Sequence, residues 1–486
     1  MCDDMFHVAL NHKTRAKGNI ALKLGNKYYN KQNYFLALIL YNQLLSHAKR
    51  RKDLSIGYAN RSAIYYEVEM YEECLQNIQL ARDNRYPEDK FPQLNEREMQ
   101  CRESMLEPKI DEGNPLKIFK LSYPPNKKVP WIVDRVEVRT TEKYGRGIYA
   151  SCNLEPGDII CIEDILINFR DTNHEYSHCY NCYKTNALNL IPCDLTGHMM
   201  FCSTACRDDL YCKAINIDGI VSADVKILSD IAKAFGSKEK IDDFILNTDQ
   251  EELNKTIFDF DFNNQEDPEY QKNLMTCLLS LSSNEHSNFG ECCNIYNYVS
   301  EQTAQRILSV FNLNRKKSLI FVNENEYLEV GCHVSLFASL INHSCLNNAF
   351  TVLVDNKVAT VIQHPVKAGE QIFFNYISDT ITTKSLTTIE ELHMFRCDCR
   401  LCTRQIRPTD MCLRNKITHE LQEGRLAIIP SNIALTDYDQ VKEYLKEKWI
   451  ASKDVSIEQK YNSPATLYPL AMLDYVAGKS AYPFLY

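Results

Sequence analysis

Cys179 and Cys182 form a CxxC pair, and after 19 intervening residues Cys202 and Cys206 form a CxxxC pair. Two such pairs supply the four thiolates of a closed tetrahedral zinc site, and a segment this short and polar needs the metal to fold. Four thiols packing as small apolar residues would leave the paired spacing without a reason. Cys397, Cys399 and Cys402 make a second cluster, CxCxxC, with three ligands, so a fourth must come from elsewhere in the chain. Two further groupings hold chemistry-bearing residues at short spacing. Lys143-Tyr144-Gly145-Arg146-Gly147-Ile148-Tyr149 has glycines that let backbone approach a ligand, and Asn342-His343-Ser344-Cys345 is followed about thirty residues on by Asn375-Tyr376.

The elements that must position these residues change character along the chain. Leu24, Gly25, Tyr28, Tyr34, Ala37 and Tyr41 fall at helical spacing on either side of a turn near Lys31 to Asn33, which predicts a helix hairpin. Tyr71, Cys74 and Ile78 repeat Tyr34, Ala37 and Tyr41 with a shift of 37. The pattern is similar to tetratricopeptide (TPR) repeats, whose shift is about 34, with Lys49-Arg50-Arg51-Lys52 holding the extra residues; an unrelated pair of helical hairpins is the alternative. A helical stretch from Leu94 to Met105 closes the array before Pro124-Pro125. Alternating, β-branched residues predict strands in Trp131 to Arg139, Asp158 to Asn168 and within 319 to 376. Helices are expected in Ala223 to Phe235, Thr303 to Phe311, 413 to 427 and 439 to 450.

At 486 residues the chain has length for roughly three domains. Its 55 Lys and Arg against 64 Asp and Glu leave a formal charge of −9, the wrong sign for holding nucleic acid through phosphate neutralisation. The longest apolar run, Tyr34 to Tyr41, is far short of the roughly 20 residues that cross a bilayer. The start, Met1-Cys2-Asp3-Asp4, lacks the basic and apolar regions of a secretory signal. A reducing compartment, cytoplasmic and/or nuclear, is therefore expected, and there clustered cysteines bind metal or do chemistry.

NHSC followed by Gly369-Glu370, Asn375-Tyr376 and then CxCxxC resembles the SET domain and post-SET loop of protein lysine methyltransferases, and Lys143 to Tyr149 looks like the GRG loop that opens a SET domain. A cysteine cluster between GRG and NHSC is similar to a MYND finger. With the TPR-like start, the order resembles the TPR-containing branch of the SMYD (SET and MYND domain) proteins. The resemblance implies a multidomain α+β fold: a TPR-like helical region over 1–122, the N-terminal part of the SET domain over 129–175, a MYND-like zinc finger over 176–213 and a helical SET insert over 214–318. The SET core follows over 319–395, the post-SET zinc loop over 396–404 and a helical C-terminal region over 405–486. It also implies Cys345 as the fourth ligand of the post-SET zinc. S-adenosylmethionine would be held by Lys143, Gly145, Arg146, Gly147, Asn342, His343, Tyr376 and Phe395, with Phe395 stacked on the adenine and the Tyr376 hydroxyl as the catalytic group.

The departures from the family pattern bear on function. A MYND finger interleaves two zincs; here the second keeps Cys193, but its partners fall at Thr196, Ala214 and Asp218, so one finger zinc is expected, with His198 or Cys212 as alternative ligands. Asn347 stands where a proline is usual, His393 where a tyrosine lines the lysine channel, and Ser318-Leu319-Ile320 where an Asn-x-Phe element is usual. The finger sets Lys184, Arg207 and Lys213 against Glu175, Asp194, Asp208 and Asp209, which gives no DNA-binding field. The expected function is transfer of a methyl group from S-adenosylmethionine to a lysine of a histone or other protein. A SET-fold adaptor acting through its TPR-like helices is the alternative.

Overall fold

The computed structural model describes residues 13–106, 119–170, 176–182, 184–194, 196–208, 231, 234–247, 251, 254–281, 300–323, 326–354, 357–376, 390, 393–399 and 402–403. The helices expected at 413–427 and 439–450, most of that expected at 223–235, and the positions Ala214, Asp218 and Cys212 lie outside them. The chain divides into two compact units. One takes in Met1–Gly113, Arg170–Val221 and Gly478–Tyr486, the other Asn114–Phe169 and Ser222–Ala477. Length alone suggests three; there are two because the cysteine-rich segment shares a unit with the N-terminal helices. No helix among the described residues is long and apolar enough to cross a membrane.

The first unit begins with five helices: α1 (Arg15–Tyr29), α2 (Tyr34–His47), α3 (Arg51–Glu67), α4 (Tyr71–Asp83) and α5 (Phe91–Ser104). The turn after α1 falls at Asn30 to Asn33, where the Asn33 side chain caps α2 by accepting from the Leu36 N–H. Of the repeated positions, Ala37, Tyr41, Cys74 and Ile78 are buried among the helices, whereas Tyr34 and Tyr71 are only half-buried. Arg51 and Lys52, expected in the connection between repeats, open α3 instead, and the link shortens to residues 48–50.

The cysteine-rich segment packs on these helices through hydrogen bonds. Asn186, Ala187 and Leu188 all hold left-handed backbone, at φ of 48°, 47° and 61°. Such a turn costs about 1–2 kcal/mol per residue for side chains with a Cβ, so neighbours must hold it. The holders are helix side chains: the Tyr65 hydroxyl donates to the Ala187 carbonyl at 3.0 Å, and the Asn42 amide donates to those of Leu188 and Tyr176 at 2.9 and 3.0 Å. Arg61 lies between them, fully buried. Its guanidinium donates to the Oδ1 atoms of Asn77, Asn42 and Asn189 and to the Leu190 carbonyl at 2.6–2.9 Å. These partners are all neutral, and burial holds the Arg61 pKa below its ordinary value.

In the second unit, Val136–Thr141 and Gly145–Ala150 form an antiparallel hairpin. Lys357–Ile362 is the centre of a three-stranded antiparallel sheet, flanked by Ala349–Val354 and Ile159–Asp164. Lys316–Asn323 pairs with Glu326–Val334, and the short Asn342–His343 runs parallel to Phe373–Phe374. The strand expected from Trp131 starts only at Val136; Ile132 and Val133 are buried in a turn that bridges to Cys161 and Pro125. An apolar core from Val129 to Phe374 packs the strands against helices Pro268–Leu279 and Glu301–Asn314.

Replacing Arg61 tests the packing of the cysteine-rich segment. Arg61→Met would leave the Oδ1 atoms of Asn42 and Asn77 and the Leu190 carbonyl without this donor, while Asn189 keeps the Asn77 amide, a cost of about 3–5 kcal/mol. Urea unfolding of the full chain should show a loss of that size in the transition of this unit, while exposed Arg51→Met stays within about 0.5 kcal/mol.

Candidate functional site

Two groups of thiols come together. The Sγ atoms of Cys179, Cys182, Cys202 and Cys206 lie within 4.8 Å of one another, and so do those of Cys345, Cys397, Cys399 and Cys402. A tetrahedral zinc with bonds of about 2.3 Å sets its sulfurs about 3.8 Å apart. Cys345 stands 3.8 Å from Cys397 and 3.5 Å from Cys402, and Cys182 stands 3.5 Å from Cys202, so both groups fit zinc. Each also contains a thiol that gives up its proton readily. Hydrogen bonding from Cys182 lowers the pKa of Cys179, and hydrogen bonds from Cys345 and Cys397 lower that of Cys399.

The first group is positioned by the hairpin of Ile191–Pro192 with Met200–Phe201 and by the Asn181 amide, which donates to the Cys206 carbonyl. Cys193 belongs to neither thiol group; it is buried against Met199 and Phe201. Thr196 and His198 also stand outside both groups. Arg207 pairs with Asp194 and Asp208 on its own segment, at 3.2 and 3.1 Å.

Beside the second thiol group, the parallel pairing of Asn342 with Phe373 and His343 with Phe374 sets the remaining side chains. Asn342 spends both amide hydrogens on the loop of Gly145 and Gly147, donating to the carbonyls of Tyr144 and Arg146 at 3.0 and 2.8 Å. A Cβ on Gly147 would stand 2.2 Å from Gln371 Nε2 and 2.8 Å from Asn342 Nδ2, so glycine here makes room for two amide side chains of the chain itself. Gly145 sits at φ +64°, which serves the turn. Arg146 turns toward the helical insert, donating to the carbonyls of Asn254 and Ser280 at 3.1 and 2.9 Å. Lys143 pairs with Asp398, 2.7 Å away, between Cys397 and Cys399.

His343 Nδ1 accepts the Tyr376 backbone N–H at 3.0 Å, and its Nε2 lies 3.3 Å from Cys345 Sγ. Burial lowers its pKa to about 4, so near neutral pH the ring carries no charge and Nδ1 keeps the lone pair this bond needs. The Tyr376 hydroxyl donates to the Ile341 carbonyl at 2.8 Å, and burial raises its pKa, keeping it protonated. Its oxygen retains lone pairs to accept further contacts. Rings gather around it: His393 at 4.8 Å and His343 at 5.2 Å, with Phe395 at 6.2 Å from His393 and 6.0 Å from His343. Phe395 is exposed, presenting a ring to solvent at the edge of this group. The structure thus gathers Asn342, His343, Tyr376 and Phe395 and holds the Gly145–Gly147 loop against them.

Sequence reasoning missed the residues that brace this arrangement. The Asn348 side chain accepts from the Phe373 N–H at 2.8 Å and donates to the Gln371 carbonyl at 2.9 Å, tying the chain just after Asn342–His343 to the strand at Phe373. Asn347, unusual for the family pattern, donates to the Ala349 carbonyl and to Gln363, bonds a proline cannot make. Glu163 accepts from the N–H groups of Phe337 and Ala338 at 3.0 and 3.1 Å and fixes the helical turn that leads to Ile341. Burial raises its pKa to about 7, with those N–H groups opposing the shift. A carboxylate in an alternating strand gives no local signal of this role.

The SET domain family pattern matches residues 145–377. The protein named Protein-lysine N-methyltransferase SMYD4 from Danio rerio is 26% identical over 217 residues, 40% of this chain and 27% of that protein. Histone-lysine N-methyltransferase ASHR1 from Arabidopsis thaliana is 20% identical over 288 residues, 55% of each chain. The chain therefore spans only part of the length of these relatives. A solved structure described as the SET domain of LSMT bound to lysine and AdoHcy aligns at 10% identity over 72% of this chain and 86% of that one, with a TM-score of 0.22. Residues 145–377 thus match the SET domain pattern, and the chain is similar in sequence to SMYD4 proteins over part of its length.

Proposed function

We propose that the chain is a protein-lysine N-methyltransferase that uses S-adenosylmethionine. The observation that supports this best is the convergence of Asn342, His343, Tyr376 and Phe395 on the Gly145–Gly147 loop, inside the residues matched by the SET family pattern. S-adenosylmethionine, when bound, supplies an electrophilic methyl on a sulfonium. The protein's part is alignment, since an in-line displacement needs little acid-base machinery. Gly145, Gly147, Asn342 and His343 would hold the amino-acid end and the adenine, Phe395 would stack on the adenine, and Lys143 and Arg146 would brace the loop. The Tyr376 oxygen would orient the acceptor amine and favour the methyl's growing polarity through weak CH···O contacts.

In this reading zinc fills both thiol groups, one in a MYND-like finger and one in the post-SET loop that carries Phe395. The finger keeps a single zinc, and its arginine is spent on its own carboxylates, which argues against DNA as a partner. The N-terminal helices read as TPR-like: α3 opens at Arg51 against Arg15 for α1, and α4 at Tyr71 against Tyr34 for α2, shifts of 36 and 37. The faces bearing Asn42, Arg61 and Tyr65 are taken by the chain's own finger, so a protein partner would need another face.

Elemental analysis of the purified chain should give two zinc ions. Cys399→Ser should lower this to one and weaken S-adenosylmethionine binding by displacing Phe395, whereas Cys206→Ser should lower it to one and leave that binding within a few-fold.

Calorimetry with S-adenosylmethionine and a methylation screen on protein extract test the activity. Tyr376→Phe should leave cofactor affinity within a few-fold and cut turnover by about tenfold or more, about 1.4 kcal/mol in the transition state. Asn342→Ala should weaken binding first. His393→Tyr, which restores an aromatic lining, should raise turnover or change which proteins are methylated. Binding without any transfer would favour the adaptor reading.

A further inference from the structure

Lys316 is a cation inside the aromatic group of the proposed site that the reaction as described does not use. It is the first residue of strand Lys316–Asn323, where it stands opposite His333. Its Nζ lies 4.6 Å from the centroid of the Phe374 ring and 5.3 Å from that of Tyr376. An ammonium held on aromatic faces at these distances is stabilised by the ring quadrupoles, and an aromatic lysine site offers a substrate the same attraction. The pairing with Glu326–Val334 fixes the backbone of this lysine, so its reach toward Tyr376 is built into the strand and does not depend on a surface loop.

We propose that Lys316 is itself a methyl acceptor, an internal lysine whose Nζ lies over the ring of Tyr376 beside the proposed transfer site. This rests on the methyltransferase reading above. The step balances as an ordinary transfer: the neutral Nζ lone pair attacks the methyl carbon of S-adenosylmethionine, the carbon–sulfur bond breaks, S-adenosylhomocysteine leaves, and the ammonium so formed loses a proton to water. Geometry carries the proposal, and the environment of the amine agrees with it. Burial brings the Lys316 pKa down to about 8, with Glu163 acting in the opposite direction, so a useful share of the amine is free of its proton in mildly alkaline solution. A surface lysine is almost wholly protonated there. A neighbouring cation also helps keep His393 and His343 uncharged, Lys316 adding to the effect of burial on both.

The test uses the full chain. Purified protein is incubated with isotopically labelled S-adenosylmethionine, and the peptide containing Lys316 is examined by mass spectrometry. The expected result is one or more labelled methyl groups on Lys316, at a rate per molecule that is unchanged by about tenfold dilution, as an intramolecular transfer requires. Tyr376→Phe should slow labelling by about tenfold. Lys316→Arg, which keeps a cation on the rings, should abolish it at this peptide. If the chain binds the cofactor and methylates other proteins while Lys316 stays unlabelled, the proposal fails and the methyltransferase reading stands. A rate that falls in proportion to dilution would overturn it too, since the transfer would then run between molecules. Absence of cofactor binding by calorimetry would remove the reading itself.

Discussion

The parallel pairing of Asn342–His343 with Phe373–Phe374 is the contact on which the candidate site depends. Residues about thirty apart in sequence lie side by side there, and each neighbour then acquires its role from position. His343 receives the Tyr376 N–H, Tyr376 reaches the Ile341 carbonyl, and Asn342 reaches the loop between the first two strands. Two residue pairs alone make a weak ladder. Asn348 reinforces it by bonding both the N–H of Phe373 and the carbonyl of Gln371, and the Ser344 N–H adds a bond to the Phe374 carbonyl. The second thiol group acts on the same strand, since Cys345 follows His343 by two residues and gathers Cys397, Cys399 and Cys402 around it.

The other unit meets a different constraint. It buries a full positive charge whose hydrogen-bond partners among the described residues are all neutral, an arrangement that costs solvation and must be offset by those bonds. Arg61 reaches four neutral acceptors, two on helices and two on the cysteine-rich segment. The guanidinium fork suits this task because its donors diverge in a plane and can serve several oxygens at once. The left-handed run from Asn186 to Leu188 belongs to the same arrangement, since it turns the carbonyls of Ala187 and Leu188 toward Tyr65 and Asn42.

What could be read from the sequence was local. Paired cysteines announce a metal because the ligand geometry is satisfied within a few residues, and the turn between α1 and α2 is written in Lys31 to Asn33. The NHSC, GRG and CxCxxC elements carried the family resemblance for the same reason. What stayed hidden acts across long separations. Glu163 looks like one more charged residue in a strand, and its partners at Phe337 and Ala338 are far along the chain. Asn42, Arg61 and Asn77 read as ordinary polar positions on helices, and nothing nearby says that the cysteine-rich segment more than a hundred residues later will bury them. The glycines of the Gly145–Gly147 loop suggest backbone approaching a ligand, whereas the groups that a Cβ on Gly147 would meet are the amides of Gln371 and Asn342.

Asn342 has a consequence for recognition. With both hydrogens of its amide committed to the carbonyls of Tyr144 and Arg146, the side chain has only its carbonyl oxygen left to offer a ligand. That oxygen can accept and cannot donate. A ligand meeting Asn342 must therefore bring a proton to the contact, as an α-ammonium does, and a carboxylate at the same place would face oxygen with oxygen. The loop's need for two donors thus fixes the polarity of the contact and, with it, which end of an amino-acid-bearing molecule can lie against this strand.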